Sequence, residues 1–248
     1  MKSMYNFKLP NLAILQNISN IIINNHNKMF SEIYERMQKG LKEQEETLRM
    51  LSTKQGIAFP LSLPIQMLHE FTDNKGNNRN VSLNYSYWIN EENFYFISYV
   101  QGEVNQVYKN DYINKQFELM KHHDLNLFPP FLLILIEKLC RKIIDKENDR
   151  LPYKTITEKL LLEWDNIVNS NNLDAFINDY YKDIFNNVIN KQIYVDEKYY
   201  EPNSKNYNRH RVLHAKMVFD EFTIEKTSNL LFVVMFLVDI INFNNKLK

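Results

Sequence analysis

Along most of this chain apolar residues recur three or four positions apart, the spacing of helix faces packed against a core. From Leu12 to about Leu51 the positions Leu15, Ile18, Ile22, Met29, Ile33, Met37 and Leu41 form such a stripe, with Lys42 to Glu46 as a charged, solvated stretch. One or two helices are predicted there. Pro60 and Pro64 interrupt the next segment, Gly56 to Leu68, which reads as a connection. Asp73 to Asn80 is turn-forming and reads as an exposed loop.

Between Val81 and Tyr112 two patterns compete. The density of Tyr, Phe and Trp favours strands, with a hairpin turn at Asn90 to Asn93, whereas Phe96, Val100, Val104, Val107 and Tyr108 mark a helical stripe. The balance leans to helix. Pro129 and Pro130 then open a helix over Phe131 to Ile144, followed by amphipathic segments at Thr155 to Val168 and Leu173 to Ile189. Thr155 to Glu158 is the expected start of the first. After a loop at Tyr199 to Asn206, two helices are predicted over Asn206 to Val218 and Thr223 to Phe243, joined by a turn near Asp220. The expected fold is therefore mainly α: an antiparallel helical bundle in residues 90 to 248, with a helix-rich N-terminal region, residues 1 to 89, serving recognition or regulation.

Composition narrows the picture further. With 4 Gly and 7 Pro against 44% hydrophobic residues in 248, turn-rich sandwiches and repeats are disfavoured. The single cysteine, Cys140, has no partner for an internal disulfide and lies in an apolar stretch, as a small core residue would. The N-terminal residues lack the pattern of a secretory signal. Leu230 to Ile241, the most apolar run, is short for a bilayer and contains Asp239, which favours a core helix. A cytoplasmic protein without a membrane anchor is expected.

Thirty Lys and Arg balance thirty Asp and Glu, so any surface for a polyanion must be local. One stretch qualifies. Lys205, Arg209, Arg211 and Lys216 surround His210 and His214, with no acid between Lys205 and Lys216. His210 and His214 are four apart and share a helix face, while Arg209 sits about 140° round from His214 on ideal geometry. The His210-x(3)-His214 spacing suits a zinc site, yet Arg211 stands where a His-Glu-x-x-His peptidase has its glutamate and no third ligand is evident. No metal or cofactor is expected. His122, His123 and Asp124 read as an exposed loop, and no phosphate-cradling Gly-rich loop or Gly-x-Ser-x-Gly elbow is present.

The stretch Asn208 to His214 resembles the Arg-x(4-6)-His signature of HEPN domains, in which a polar residue, here His210, commonly follows the Arg. RNase-type members often show a preceding Asn, a small residue after the His, then a turn and a Thr-initiated apolar helix. Asn208, Ala215 and Thr223 to Ile241 fill those places. Phe128 to Glu137 is similar to the family's Pro-led, Glu-containing helix. The resemblance spans roughly residues 90 to 248, and only 208 to 214 is specific; Ala215 replaces a frequent Gly, and Lys226 stands where an acid is common.

The resemblance implies a metal-independent endoribonuclease of a bacterial or phage-related defence or toxin system. Arg209 and His214 would be catalytic, and Asn208, His210, Arg211, Lys205 and Lys216 would hold RNA. A homodimer is expected, because Arg209 and His214 diverge on one helix and complement each other across a two-fold axis. An antitoxin or regulatory protein is a further expected partner. The alternatives are a non-catalytic module of the same fold that binds RNA or a protein, and a structural bundle whose basic stretch is a solvated helix face.

Overall fold

A helix that is apolar on every side must be covered on every side, and the last helix of this protein is of that kind. The computed structural model describes residues 45–54, 56–63, 93–145, 151–171, 173–201, 204, 206–217 and 219–245. In chain order the helices are α1 (Glu45–Lys54), α2 (Asn93–Val107), α3 (Asp111–His122), α4 (Pro129–Ile143), α5 (Tyr153–Asn171), α6 (Ala175–Ile184), α7 (Arg209–Leu213) and α8 (Ile224–Asn245). Single 3-10 turns lie at Leu125–Leu127, Glu197–Tyr199 and Phe219–Glu221, and a π-helical stretch, Phe185–Ile193, prolongs α6. No strand occurs among the described residues, and none of their helices is long and apolar enough to cross a membrane.

Every residue of α8 from Thr227 to Ile241 is buried. Helices α4, α2 and α5 pack around it, while α1 packs on α6 and the π-helical stretch. Aromatic rings knit these layers: Phe236 lies 4.9 Å from Tyr181 and 5.2 Å from Phe185, and Trp164 stacks on Tyr181 at 4.6 Å. In the contested stretch the helical stripe prevails, since Phe96, Val100, Val104 and Val107 all enter the core from α2. Residues 81–92, the predicted loop 73–80 and the stripe before residue 45 lie outside the described residues.

Local chemistry sets the helix starts. Asn110 accepts the Ile113 amide at 3.1 Å to cap α3, Asp174 caps α6 through Phe176 at 2.8 Å, and Pro129 and Pro130 open α4. Helix α5 begins two residues before the expected Thr155, because the Pro152 carbonyl already accepts from the Ile156 amide at 3.1 Å. Cys140 is buried in α4, and burial pushes its thiol up to about 12.

Residues 56–63 are irregular yet buried, so their backbone groups need partners. Side chains of the C-terminal helices and loops supply them. The Tyr180 hydroxyl donates to the Phe59 carbonyl at 2.8 Å, the Asn206 amide to the Gly56 carbonyl at 2.6 Å, and the Ser62 amide donates to Asp239 at 3.3 Å. Gly56 has φ +66°, and a Cβ there would run into the Gln192 amide. Leu48, Leu51, Ile57, Phe59 and Leu61 share one core with the C-terminal helices. The part of the N-terminal region described here is thus built into the same core as residues 93–245.

Asp239 is the buried acid of α8, held by the Ser62 amide and the Tyr181 hydroxyl, each at 3.3 Å. Burial raises its carboxyl to about 7, repulsion from Glu103 adds to this, and the hydrogen bonds from Ser62 and Tyr181 oppose it. The folded state therefore holds a proton on Asp239 that the unfolded chain releases near pH 4, so this site's contribution to stability declines as pH rises from about 4 to about 7. Asp239→Asn is expected to flatten that decline and raise the melting temperature at pH 8 more than at pH 5. Thermal melts of both proteins across pH 4 to 8 check it; parallel curves would contradict the assignment.

Candidate functional site

Three consecutive buried side chains lead into α7. Asn206 anchors the Gly56 carbonyl and the Gln192 amide oxygen (3.0 Å). The Tyr207 hydroxyl accepts the Thr223 amide at 2.7 Å and donates to the Thr223 carbonyl at 3.0 Å. Asn208 caps α7: its amide oxygen accepts from the Arg211 amide at 3.0 Å and its NH2 group donates to the Val195 carbonyl at 2.8 Å. Thr223 caps α8 by accepting from the Lys226 amide at 3.2 Å. The two ends of the turn between α7 and α8 are thus tied through Tyr207.

The helix expected over Asn206 to Val218 is in fact short. It ends at Leu213, with His214 as C-cap and Ala215 at φ +52°. The Lys216 amide bonds back to the Arg211 carbonyl at 2.8 Å and the Ala215 amide to the Val212 carbonyl at 3.2 Å, the paired closure of a Schellman turn. Alanine in the left-handed region suffers a Cβ clash that glycine avoids, so a frequent Gly at this place has a backbone reason.

The basic stretch is free of acids along the chain, but in space three glutamates meet it. Arg209 turns inward onto α4, where its guanidinium pairs with Glu137; Arg141 holds the other oxygen of the same carboxylate at 2.8 and 3.1 Å. These three side chains are 13–17% exposed. Arg211 pairs with Glu221 at 3.2 Å and lies over the Tyr200 ring at 5.3 Å. Lys216 meets Glu197 at 2.6 Å. Tyr194 borders the Arg209 pair and Cys140, and burial holds its hydroxyl well above the usual phenol range, hence protonated.

His214 is exposed, its ring centroid 4.4 Å from that of half-exposed His210. His210 Nε2 lies 3.2 Å from Lys216 Nζ and 3.4 Å from Glu197 Oε2. A lysine ammonium only donates, so the neutral imidazole accepts at Nε2, whereas the protonated ring pairs with Glu197 instead. Lys216 also holds the Glu197 carboxyl below the usual carboxylate range. The structure thus brings His210, His214, Lys216 and Glu197 together at the surface and sets Arg209 apart, against α4. Asn208 is a structural cap, and Lys205 lies outside the described residues. Among the described residues no group of three or more His, Cys, Asp or Glu is placed to hold a metal ion.

Glu197 and Glu221 escaped the reading of the sequence, since nothing in their local context links them to the motif. Glu137 was legible only as part of the Pro-led helix.

Two stability effects follow from this geometry. Glu137→Gln leaves two largely buried guanidiniums without their carboxylate and is expected to cost about 3 kcal/mol in chemical unfolding; a loss under about 1 kcal/mol would show that solvent screens the cluster. Ala215→Gly relieves the left-handed alanine and is expected to stabilise by roughly 1 kcal/mol in the same assay. A destabilised glycine variant would refute the strain at this turn.

No family model, curated protein or solved structure matches this chain significantly.

Proposed function

We propose that this protein is a HEPN-like, metal-independent endoribonuclease that cleaves RNA by attack of the substrate's own 2′-hydroxyl. The observation that carries the proposal is the exposed His210–His214 pair, with rings 4.4 Å apart and a lysine ammonium within hydrogen-bond distance of one of them. Such cleavage needs a base for the 2′-hydroxyl proton, positive charge for the phosphorane and an acid for the departing 5′-oxygen. An imidazole exchanges protons near neutral pH, and an arginine stays cationic throughout. His214, open to solvent, is assigned as the base; His210 and Lys216 assist as acid and phosphate ligand. Arg209, set apart against α4 on Glu137, is assigned as the fixed charge. A homodimer that brings the Arg209–His214 motifs of two chains together is part of the proposal, as are a cytoplasmic defence or toxin role and a regulatory partner. Recognition of target or partner is assigned to the N-terminal region.

A second reading has its own support. The pairing of Arg209 with Glu137, whose other oxygen Arg141 holds, is also what a structural arginine makes, and it favours a non-catalytic module that binds RNA or a protein.

His214→Ala separates the two, since an exposed side chain can be removed without harming the fold. Loss of the base is expected to lower cleavage of a labelled RNA on the order of 10² to 10⁴-fold, with circular dichroism unchanged. Arg209→Ala is expected to lose activity as well. Products should end in 2′,3′-cyclic phosphate, and EDTA should have no effect. A folded His214→Ala protein as active as wild type, or a wild type that leaves RNA intact, hands the assignment to the binding module.

A further inference from the structure

Glu197 occupies an unusual place for a carboxylate. It comes from the 3-10 turn Glu197–Tyr199, which Asp196 caps through the Lys198 amide at 3.2 Å and which Tyr200 anchors through its hydroxyl on the Asn206 carbonyl at 3.1 Å. The turn is therefore fixed while the Glu197 side chain, 37% exposed, extends from it. Its Oε2 sits 2.6 Å from Lys216 Nζ and 3.4 Å from His210 Nε2, and those two nitrogens are 3.2 Å apart. Once the His210 ring is protonated, both nitrogens are donors and can reach the oxygens of a single tetrahedral anion. Arg211 lies near enough to act on the same carboxylate electrostatically, and His214 stands beside His210.

We propose that the Glu197 carboxylate is an internal stand-in for a substrate phosphate, occupying a subsite formed by Lys216 and His210 that an RNA phosphodiester takes when Glu197 swings out. This rests on the ribonuclease reading for the identity of the ligand, and on the geometry alone for the subsite. The exchange is physically easy. An ion pair this exposed is screened by water and contributes little, the released carboxylate regains its hydration, and the arriving phosphate offers several strong acceptors to the same donors. When it arrives, His210 takes up a proton and turns from acceptor of the lysine N–H to donor toward the phosphate. Glu197 thereby sets a threshold: weakly held anions do not displace it, and a polyanion anchored elsewhere on the protein does.

The test uses the full chain with labelled histidines, following the His210 ring resonances by NMR during titration with inorganic phosphate and, separately, with a 2′-deoxy oligonucleotide that cannot be cleaved. Glu197→Gln is expected to tighten binding of both by up to about fivefold, the worth of one exposed ion pair. Lys216→Ala is expected to abolish the response of His210, and Glu197→Asp, with its shorter reach, to fall between wild type and Gln. Response to the oligonucleotide but not to phosphate confirms a subsite that works only within a longer polyanion contact. Unchanged or weaker binding by both Gln and Asp variants, or His210 resonances that neither titrant moves, overturns the proposal. Cleavage assays on the same samples keep the two questions apart. Tighter binding without any cleavage of ordinary RNA retains the subsite and removes the ribonuclease; cleavage with no tightening in Glu197→Gln retains the ribonuclease and removes the subsite.

Discussion

Burial of α8 on every side from Thr227 to Ile241 is the constraint from which the rest of the arrangement follows. A helix apolar all round has no face to offer water, so helices α2, α4 and α5 must close over it, and Phe59 of the irregular segment 56–63 adds its ring against Phe232 at 6.0 Å. Once α8 is enclosed, its N-terminus at Thr223 emerges at a fixed place. Tyr207 binds there, so α7 is hung from the end of the core helix and laid against α4. The position of the basic stretch is thus a by-product of how the most hydrophobic element is covered.

Amides and hydroxyls perform the joining. Asn206, Tyr207 and Asn208 are buried side by side, and each binds backbone from a different part of the chain: Gly56, Thr223 and Val195. Irregular backbone survives inside a protein only when such groups are satisfied. These three residues satisfy the carbonyls of Gly56, Thr223 and Val195 while holding the first residue of α7 in one orientation. That leaves Arg209 directed to Glu137 and the histidines directed to water.

Much of the helical frame was legible. The periodic stripe on α2, the proline pair that opens α4 and the largely apolar run of α8 each report a local preference that tertiary packing reinforces. The short span of α7 was not legible, because Ala215 carries no turn signature; only the hydrogen bonds back to Arg211 and Val212 reveal a left-handed alanine. The electrostatics were misjudged for a related reason. Acids were absent from the stretch itself, but Glu137, Glu197 and Glu221 arrive from 72, 19 and 10 residues away. Charge balance at a site is a property of the fold, and spacing along the chain does not report it. The buried tie between residues 56–63 and the C-terminal helices was hidden likewise, since nothing local marks a Gly56 carbonyl as the partner of Asn206.

The π-helical stretch Phe185–Ile193 bears on how this architecture tolerates insertions and deletions. Its wider turns, seen in the Tyr194 amide bonding to the Ile189 carbonyl at 2.9 Å, accommodate more residues than an α-helix of equal rise. Loss of a single residue there would let the stretch rewind to α geometry. The surplus residue is absorbed by that rewinding, whereas the same loss within an ordinary α-helix turns all that follows by about 100° and would carry the Val195 carbonyl away from Asn208. This stretch therefore tolerates the loss of one residue better than α4 or α5, and homologous chains that share the site can differ in length here while Asn208 keeps its partner.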